Sequence, residues 1–160
     1  MQMLDASSII FAWENYSETQ FPSLWVWLAY QVSRKSLTIA RCAFDEVQHK
    51  TPECAAWLET QVVEKFDVTD AILQFSARIA TLLGIENDRY HPKGVGANDI
   101  IIIATARIFA ASLICNEGVQ VSALLVPSKR KIPAVCAMQE VNVECMSFLQ
   151  YIKRSKTVFE

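Results

Sequence analysis

The chain has 160 residues, of which 52% are apolar and 20% charged, with a formal charge of −2 and a pI near 5.7. A chain of this size and composition suits one domain with a single core and excludes a disordered polymer. It also excludes a global basic field, so contact with any nucleic acid must rest on local charge.

No basic stretch precedes an apolar run at the N-terminus, where Asp5 already stands, so no secretory signal is expected and the predicted location is the cytoplasm. No purely apolar run, Ile100–Ala104 among them, approaches the roughly 20 residues of a membrane-crossing helix. Five cysteines at positions 42, 54, 115, 136 and 145 include no C-x-x-C pair, and they read as small buried hydrophobes in a reducing compartment. Only His49 and His91 are present, neither with a second ligand at suitable spacing, so carboxylates must carry any metal.

Met3-Leu4 reads as the tail of a first strand, and Asp5 to Ser8 offer capping groups to a helix that begins with the run Ile9 to Trp13. Phe21-Pro22 opens a second helix with Leu24, Trp25, Leu28 and Val32 at helical spacing and Trp27 on a neighbouring stripe. Leu37 to Ala40 is a buried strand. A helix from about Ala43 to His49 carries Glu46, and another runs from Glu53 to roughly Val63 with Thr51 able to cap it. Val68-Thr69-Asp70 starts a longer helix with Ile72, Phe75, Ile79, Leu82 and Leu83 on one side, closed by Gly84. Residues 86–96 are loop. Asn98-Asp99 is expected to cap a helix ending near Phe109, and Ser112 to Cys115 forms a strand stopping at Asn116-Glu117-Gly118. The loop basic cluster Lys129-Arg130-Lys131 precedes a helix over Pro133 to Val141, an extended Val143 to Met146 and a helix over Phe148 to Arg154.

Helices alternating with short, wholly apolar strands predict an α/β domain whose parallel sheet is covered on both faces. Ligands of such sheets gather beyond the carboxyl ends of the strands, where this reading puts Asp5 and Glu117, with Glu46 and Asp99 on helices able to approach the same edge. Clustered carboxylates repel until a divalent cation relieves them, and oxygen-only ligands suit Mg²⁺ or Mn²⁺, which beside a phosphodiester promote hydrolysis. Each acid also has an ordinary reading: Asp5 and Asp99 as caps, Glu46 as a solvated helix residue, Glu117 as a turn residue. Gly94-Val95-Gly96-Ala97 lacks both the preceding strand and the third glycine of a phosphate-binding turn, so it reads as a loop. The four tryptophans fit core or interface better than base stacking.

The segment LDASSIIF resembles the opening strand and helix of PIN domains, CAFDEVQH their second motif, ANDIIIIATA the third and SLICNE the fourth. More narrowly, FPSLWVWL and KIPAVCAMQEVNVECMSFLQYI resemble a bacterial and archaeal PIN-like subfamily in which a KIP-x-VC segment follows the fourth acid. The resemblance implies a PIN-like three-layer α/β/α domain with a central parallel sheet over the whole chain. By it Asp5, Glu46, Asp99 and Glu117 are metal ligands and catalytic acids, with Ser7, Cys115 and Asn116 in support. Cys115 stands where such domains usually carry Thr or Ser, and Ala134 where the subfamily commonly has Asp. Lys129, Arg130 and Lys131, following the fourth motif, are the expected phosphate contacts.

The function so implied is that of a VapC-like toxin: an Mg²⁺- or Mn²⁺-dependent endoribonuclease with an RNA substrate and a cognate antitoxin, for which apolar helices also suit a homodimer. Two alternatives stand beside it. One is a PIN-like scaffold that binds RNA or protein without cutting. The other is a phosphoryl-transfer enzyme of haloacid-dehalogenase type, which would need a second Asp where Ser7 stands.

Overall fold

The computed structural model describes residues 1–118, 120 and 126–160. Among these residues five strands form one parallel sheet: β1 (Gln2–Leu4), β2 (Leu37–Ala40), β3 (Lys65–Phe66), β4 (Ser112–Ile114) and β5 (Cys145–Met146), in the order β3-β2-β1-β4-β5. Met3 and Leu4 are both fully buried, as are Leu113 and Ile114, and all of β2 is inaccessible. Since neighbouring residues of a strand point to opposite faces, both faces of the sheet are covered, which makes the three-layer arrangement.

The helices are α1 (Ala6–Asn15), α2 (Pro22–Ser33), α3 (Arg41–Lys50), α4 (Pro52–Thr60), α5 (Asp70–Leu82), α6 (Ala97–Ile108), α7 (Ile132–Cys136) and α8 (Phe148–Ser155). In α2 the residues at helical spacing, Leu24, Trp25, Leu28 and Val32, are the buried ones. Trp25 lies edge-on between Trp13 and Trp57, at 5.2 and 4.8 Å, and its indole N–H donates to the Tyr16 carbonyl. Trp27 packs on Tyr151 and Phe159, so the tryptophans are structural. All five cysteines are free thiols, and Cys54, Cys115 and Cys136 are buried. Among the described residues, no helix is long and apolar enough to cross a membrane.

Several boundaries differ from expectation. The fourth helix stops at Thr60 because Val62 turns left-handed at φ +58° and the Val63 N–H closes back on the Leu58 carbonyl. That turn frees Lys65–Phe66 to pair with Ile39 and Ala40, an edge strand too short to show any periodicity in the sequence. Thr51 makes no side-chain cap; its carbonyl takes the Ala55 N–H instead. The helix expected over Pro133 to Val141 is cut at Cys136, since the Cys136 carbonyl accepts the Val143 N–H and so leads the chain into β5. Gly84, at φ +70°, ends α5 as expected, with the Ile85 N–H bonded to the Ala80 carbonyl.

The strand order places β1 at the centre, with the chain stepping outward to β2 and β3 and later in the opposite direction to β4 and β5. The connections leaving the carboxyl ends of β1 and β4 therefore diverge, the kind of switch point beside which open α/β sheets take their ligands.

A left-handed backbone is costly for a β-branched residue, and the Val62 side chain, 81% exposed, gains little packing in return. Val62→Gly should therefore stabilise by about 1 kcal/mol, the relief of left-handed strain exceeding the added unfolded-state freedom. The expected gain in melting temperature is about 2–4 °C. An unchanged or lower melting temperature would contradict the left-handed turn after α4.

Candidate active site

Asp5 follows the last residue of β1 directly, and its N–H bonds the Ile114 carbonyl at the end of β4. It is the N-cap of α1: Oδ2 accepts the Ser7 N–H at 3.2 Å and the Ser7 hydroxyl at 2.5 Å. The same hydroxyl accepts the Asn116 N–H at 3.0 Å and lies 3.8 Å from Cys115 Sγ. Ser7 thus ties the acid at the end of β1 to the segment leaving β4. Asn116 holds the opposite side, where Oδ1 accepts the Phe148 N–H at 2.9 Å and fixes the start of α8. The three residues expected in support do meet around Asp5 and the end of β4.

Asp99 is not the cap of α6. The helix begins at Ala97 after Gly96, and Asp99 in its first turn reaches back so that Oδ2 accepts the Gly96 N–H at 2.9 Å, half of a capping box. Glu117 lies three residues beyond β4, and Oε2 accepts the Ile132 N–H at 3.0 Å. Glu46 sits in the second turn of α3 with Oε1 against the Lys50 ammonium, 2.5 Å away. Lys50 was not among the expected site residues, because a helix ended at His49 hides the one-turn spacing from Glu46. In each of the four carboxylates, one oxygen is oriented by a nearby donor.

Asp5 is 4% exposed. Burial raises its pKa above the ordinary 3.8, against the lowering by Ser7, and the charges of Asp99 and Glu46 raise it further. Asp99 is raised in the same way, chiefly by burial, with Glu46 adding to it and Gly96 and Lys50 opposing. In Glu117 burial again leads, the Ile132 N–H and Lys131 oppose, and the charges of Asp99 and Asp5 add to the rise. The Lys50 ammonium is held more firmly protonated by Glu46 first and by Asp5 and Asp99 as well. The charges of Glu46 and Asp99 thus act on Asp5, that of Glu46 on Asp99, and those of Asp5 and Asp99 on Glu117. Even so, among the described residues no three His, Cys, Asp or Glu side chains converge closely enough to enclose a metal by themselves.

Lys129 ends a 3-10 turn over Pro127–Lys129, and Arg130 and Lys131 continue it to α7, whose first N–H is the one on Glu117. An apolar groove of about 500 Å³ between α2 and α8, lined by Tyr16, Phe21 and Leu149 among others, contains none of the four acids.

An acid whose folded pKa is raised binds its proton more tightly in the native state, so stability falls as pH climbs from the unfolded value through the raised one. The loss contributed by Asp5, Asp99 and Glu117 begins near pH 4 and persists at neutrality. Asp99→Asn keeps an acceptor for the Gly96 N–H and removes one of the repelling charges. Its melting temperature at pH 7 should exceed that of the wild type by on the order of 2 °C, with the gap closing towards pH 4. A lower melting temperature at pH 7 would show that the Asp99 charge stabilises the fold.

Comparison with known proteins agrees with this architecture. A solved structure described as VapBC2 from Rickettsia felis bound to a DNA fragment from their promoter aligns with a TM-score of 0.57 at 16% identity, over 91% of this chain and 97% of that one. A toxin–antitoxin complex from Klebsiella pneumoniae aligns with a TM-score of 0.48 at 15% identity, over 73% of this chain and 87% of that one. The first likeness carries the fold, which is the PIN-like α/β/α domain that the motifs imply. No curated protein matches. Residues 2–159 match the family described as Domain of unknown function (DUF4411), and the chain belongs to that family.

Proposed function

We propose that this protein is a divalent-metal-dependent endoribonuclease and the toxin of a type II toxin–antitoxin pair, acting in the cytoplasm. What supports the reading is that Asp5, Asp99 and Glu117 are buried or half-buried acids reached by one another's charges or by that of Glu46, and that each of the four has one oxygen already oriented. Buried acids that raise one another's proton affinity are a preformed demand for positive charge. The donor set is all oxygen, which fits Mg²⁺ or Mn²⁺, and Mg²⁺ commonly takes only one or two carboxylates along with water and substrate phosphate. Such sites do not require the protein alone to enclose the ion.

In this reading Asp5, Glu46, Asp99 and Glu117 would hold Mg²⁺ or Mn²⁺. Once bound, the ion supplies an activated water and neutralises charge developing on the phosphodiester. The chain's own contributions are orientation and charge. Ser7 fixes the direction of the Asp5 carboxylate, the Gly96 N–H that of Asp99, and the Ile132 N–H that of Glu117. Lys50 neutralises Glu46 while no other cation is present, and Lys129, Arg130 and Lys131 hold the RNA backbone beside the acids. Cys115 packs where a hydroxyl would serve as a stronger hydrogen-bonding group, leaving that task to Ser7. The partners proposed are an RNA substrate, a cognate antitoxin and a second copy of the chain; the likeness to a fold solved as a VapBC complex supports the antitoxin.

The lack, among the described residues, of three convergent ligands favours a second reading: a PIN-like scaffold that binds RNA or protein without cutting. Cleavage of single-stranded and structured RNA in Mn²⁺ separates the two. Asp5→Asn and Asp99→Asn, each keeping its local acceptor, should fold and lose at least about a hundredfold in rate, at roughly 1.4 kcal/mol per decade. Mn²⁺ should also raise the wild-type melting temperature, and raise that of Asp99→Asn by less. Folded Asp99→Asn protein cutting at the wild-type rate would overturn the nuclease mechanism, and a wild type that binds RNA but cuts none would establish the scaffold.

A further inference from the structure

The loop over residues 86–96 carries His91, Pro92 and Lys93, and its packing is specific. A Cβ built on Gly94 would collide with the Ser128 carbonyl, so the two loop backbones touch at a point where only glycine fits. One residue on, the buried Val95 donates its N–H to the Arg130 carbonyl at 2.9 Å. The second loop is braced in turn by Gln120, whose amide accepts the Lys131 N–H at 2.9 Å and donates to the Lys129 carbonyl at 3.1 Å.

The joined loops end on the acids. Loop 86–96 terminates at Gly96, whose N–H orients Asp99, and loop 127–131 terminates at Ile132, whose N–H orients Glu117. Lys93, next to the point of contact, is thereby brought onto the same rim as Lys129, Arg130 and Lys131. Among the described residues these four cations take part in no ion pair, which they share with Arg34, Arg78, Arg89, Arg107, Lys153 and Lys156; what sets the four apart is that the loop contact brings them together. With the whole chain at −2, unpaired cations gathered beside the acids are where local attraction for a polyanion is available.

Resting on the ribonuclease reading above, we propose that the Gly94–Ser128 contact fuses the two loops into one cradle for the phosphates of single-stranded RNA, with Lys93 as a substrate-binding residue and Gly94 as the residue that positions it. Phosphates seated on this rim would lie next to Asp99 and Glu117, because the loops that bear the cations also supply the donors to those carboxylates. The cradle reads backbone charge and carries no preference for a base.

The test is the salt dependence of binding of a labelled single-stranded RNA of about a dozen nucleotides, followed by fluorescence anisotropy in chelator so that nothing is cut. Lys93→Ala, an exposed change that leaves the packing intact, should weaken binding several-fold and reduce the slope of log affinity against log salt by about 0.7, one contact's worth for a single strand. Arg78→Ala, an exposed cation on α5, should leave both unchanged. Gly94→Ala, shown folded by circular dichroism, should weaken binding more than Lys93→Ala, since it parts the loops and moves every rim cation. If wild type binds with a clear salt slope and Lys93→Ala keeps that slope, the cradle is wrong and the ribonuclease reading stands. If wild type shows no binding at any salt concentration in chelator, the cradle is wrong, while the ribonuclease reading, whose ion would itself help to hold the phosphate, is decided by the cleavage assay in Mn²⁺. Gly94→Ala that is folded and binds as wild type would overturn the positioning role of Gly94.

Discussion

Asp5 places a carboxylate at the end of the central strand, where it is almost wholly shut off from water and exposed to the charges of other acids. Such a group is costly to ionise, and the surroundings are arranged around that cost. Ser7 compensates part of it with two hydrogen bonds to one oxygen. Because the Ser7 hydroxyl also receives the Asn116 N–H, the acid of β1 and the exit of β4 are fixed relative to each other. Asp5 thus stands where the connections of β1 and β4 diverge, the point beside which open α/β sheets take their ligands.

A cap at a helix start engages only one oxygen of a carboxylate. Asp5 caps α1 through Oδ2, and Asp99 uses Oδ2 on the Gly96 N–H. In each the local bond fixes the direction of the side chain. A cap stabilises by about 1 kcal/mol, a useful offset against like-charge repulsion while no cation is bound. Lys50 supplies a further offset from within α3, where its ammonium meets Glu46 and its charge reaches Asp5 and Asp99. Exposed one-turn pairs of this kind are individually weak.

Much of the fold was legible in the sequence because burial on both faces leaves an unmistakable run. Leu37 to Ala40 is apolar or small throughout, and every residue of it is buried. The face of α2 could be read from helical spacing, and Gly84 from its position after the last apolar turn. β3 could not be read, because two residues set no period and their pairing depends on the turn at Val62. Asp5 and Glu117 were legible as acids at strand ends. Asp99 was identified with the wrong local role, since an acid at the cap and one in the first turn differ by a shift of the helix start that composition does not mark. The clasp at Gly94 was illegible in principle: its need for glycine comes from the backbone of Ser128, a segment distant in sequence.

The central claim is that these four acids act as one cation site, and the most direct test is where Mn²⁺ binds. Paramagnetic broadening of backbone amide signals in ¹⁵N-labelled protein reports proximity to the ion residue by residue and needs no substrate. Substoichiometric Mn²⁺ should first erase the signals of Asp5, Glu46, Asp99, Glu117 and their immediate neighbours, with excess Mg²⁺ restoring them. Broadening spread evenly over the surface acids, or centred on another region while these four signals persist, would contradict the account.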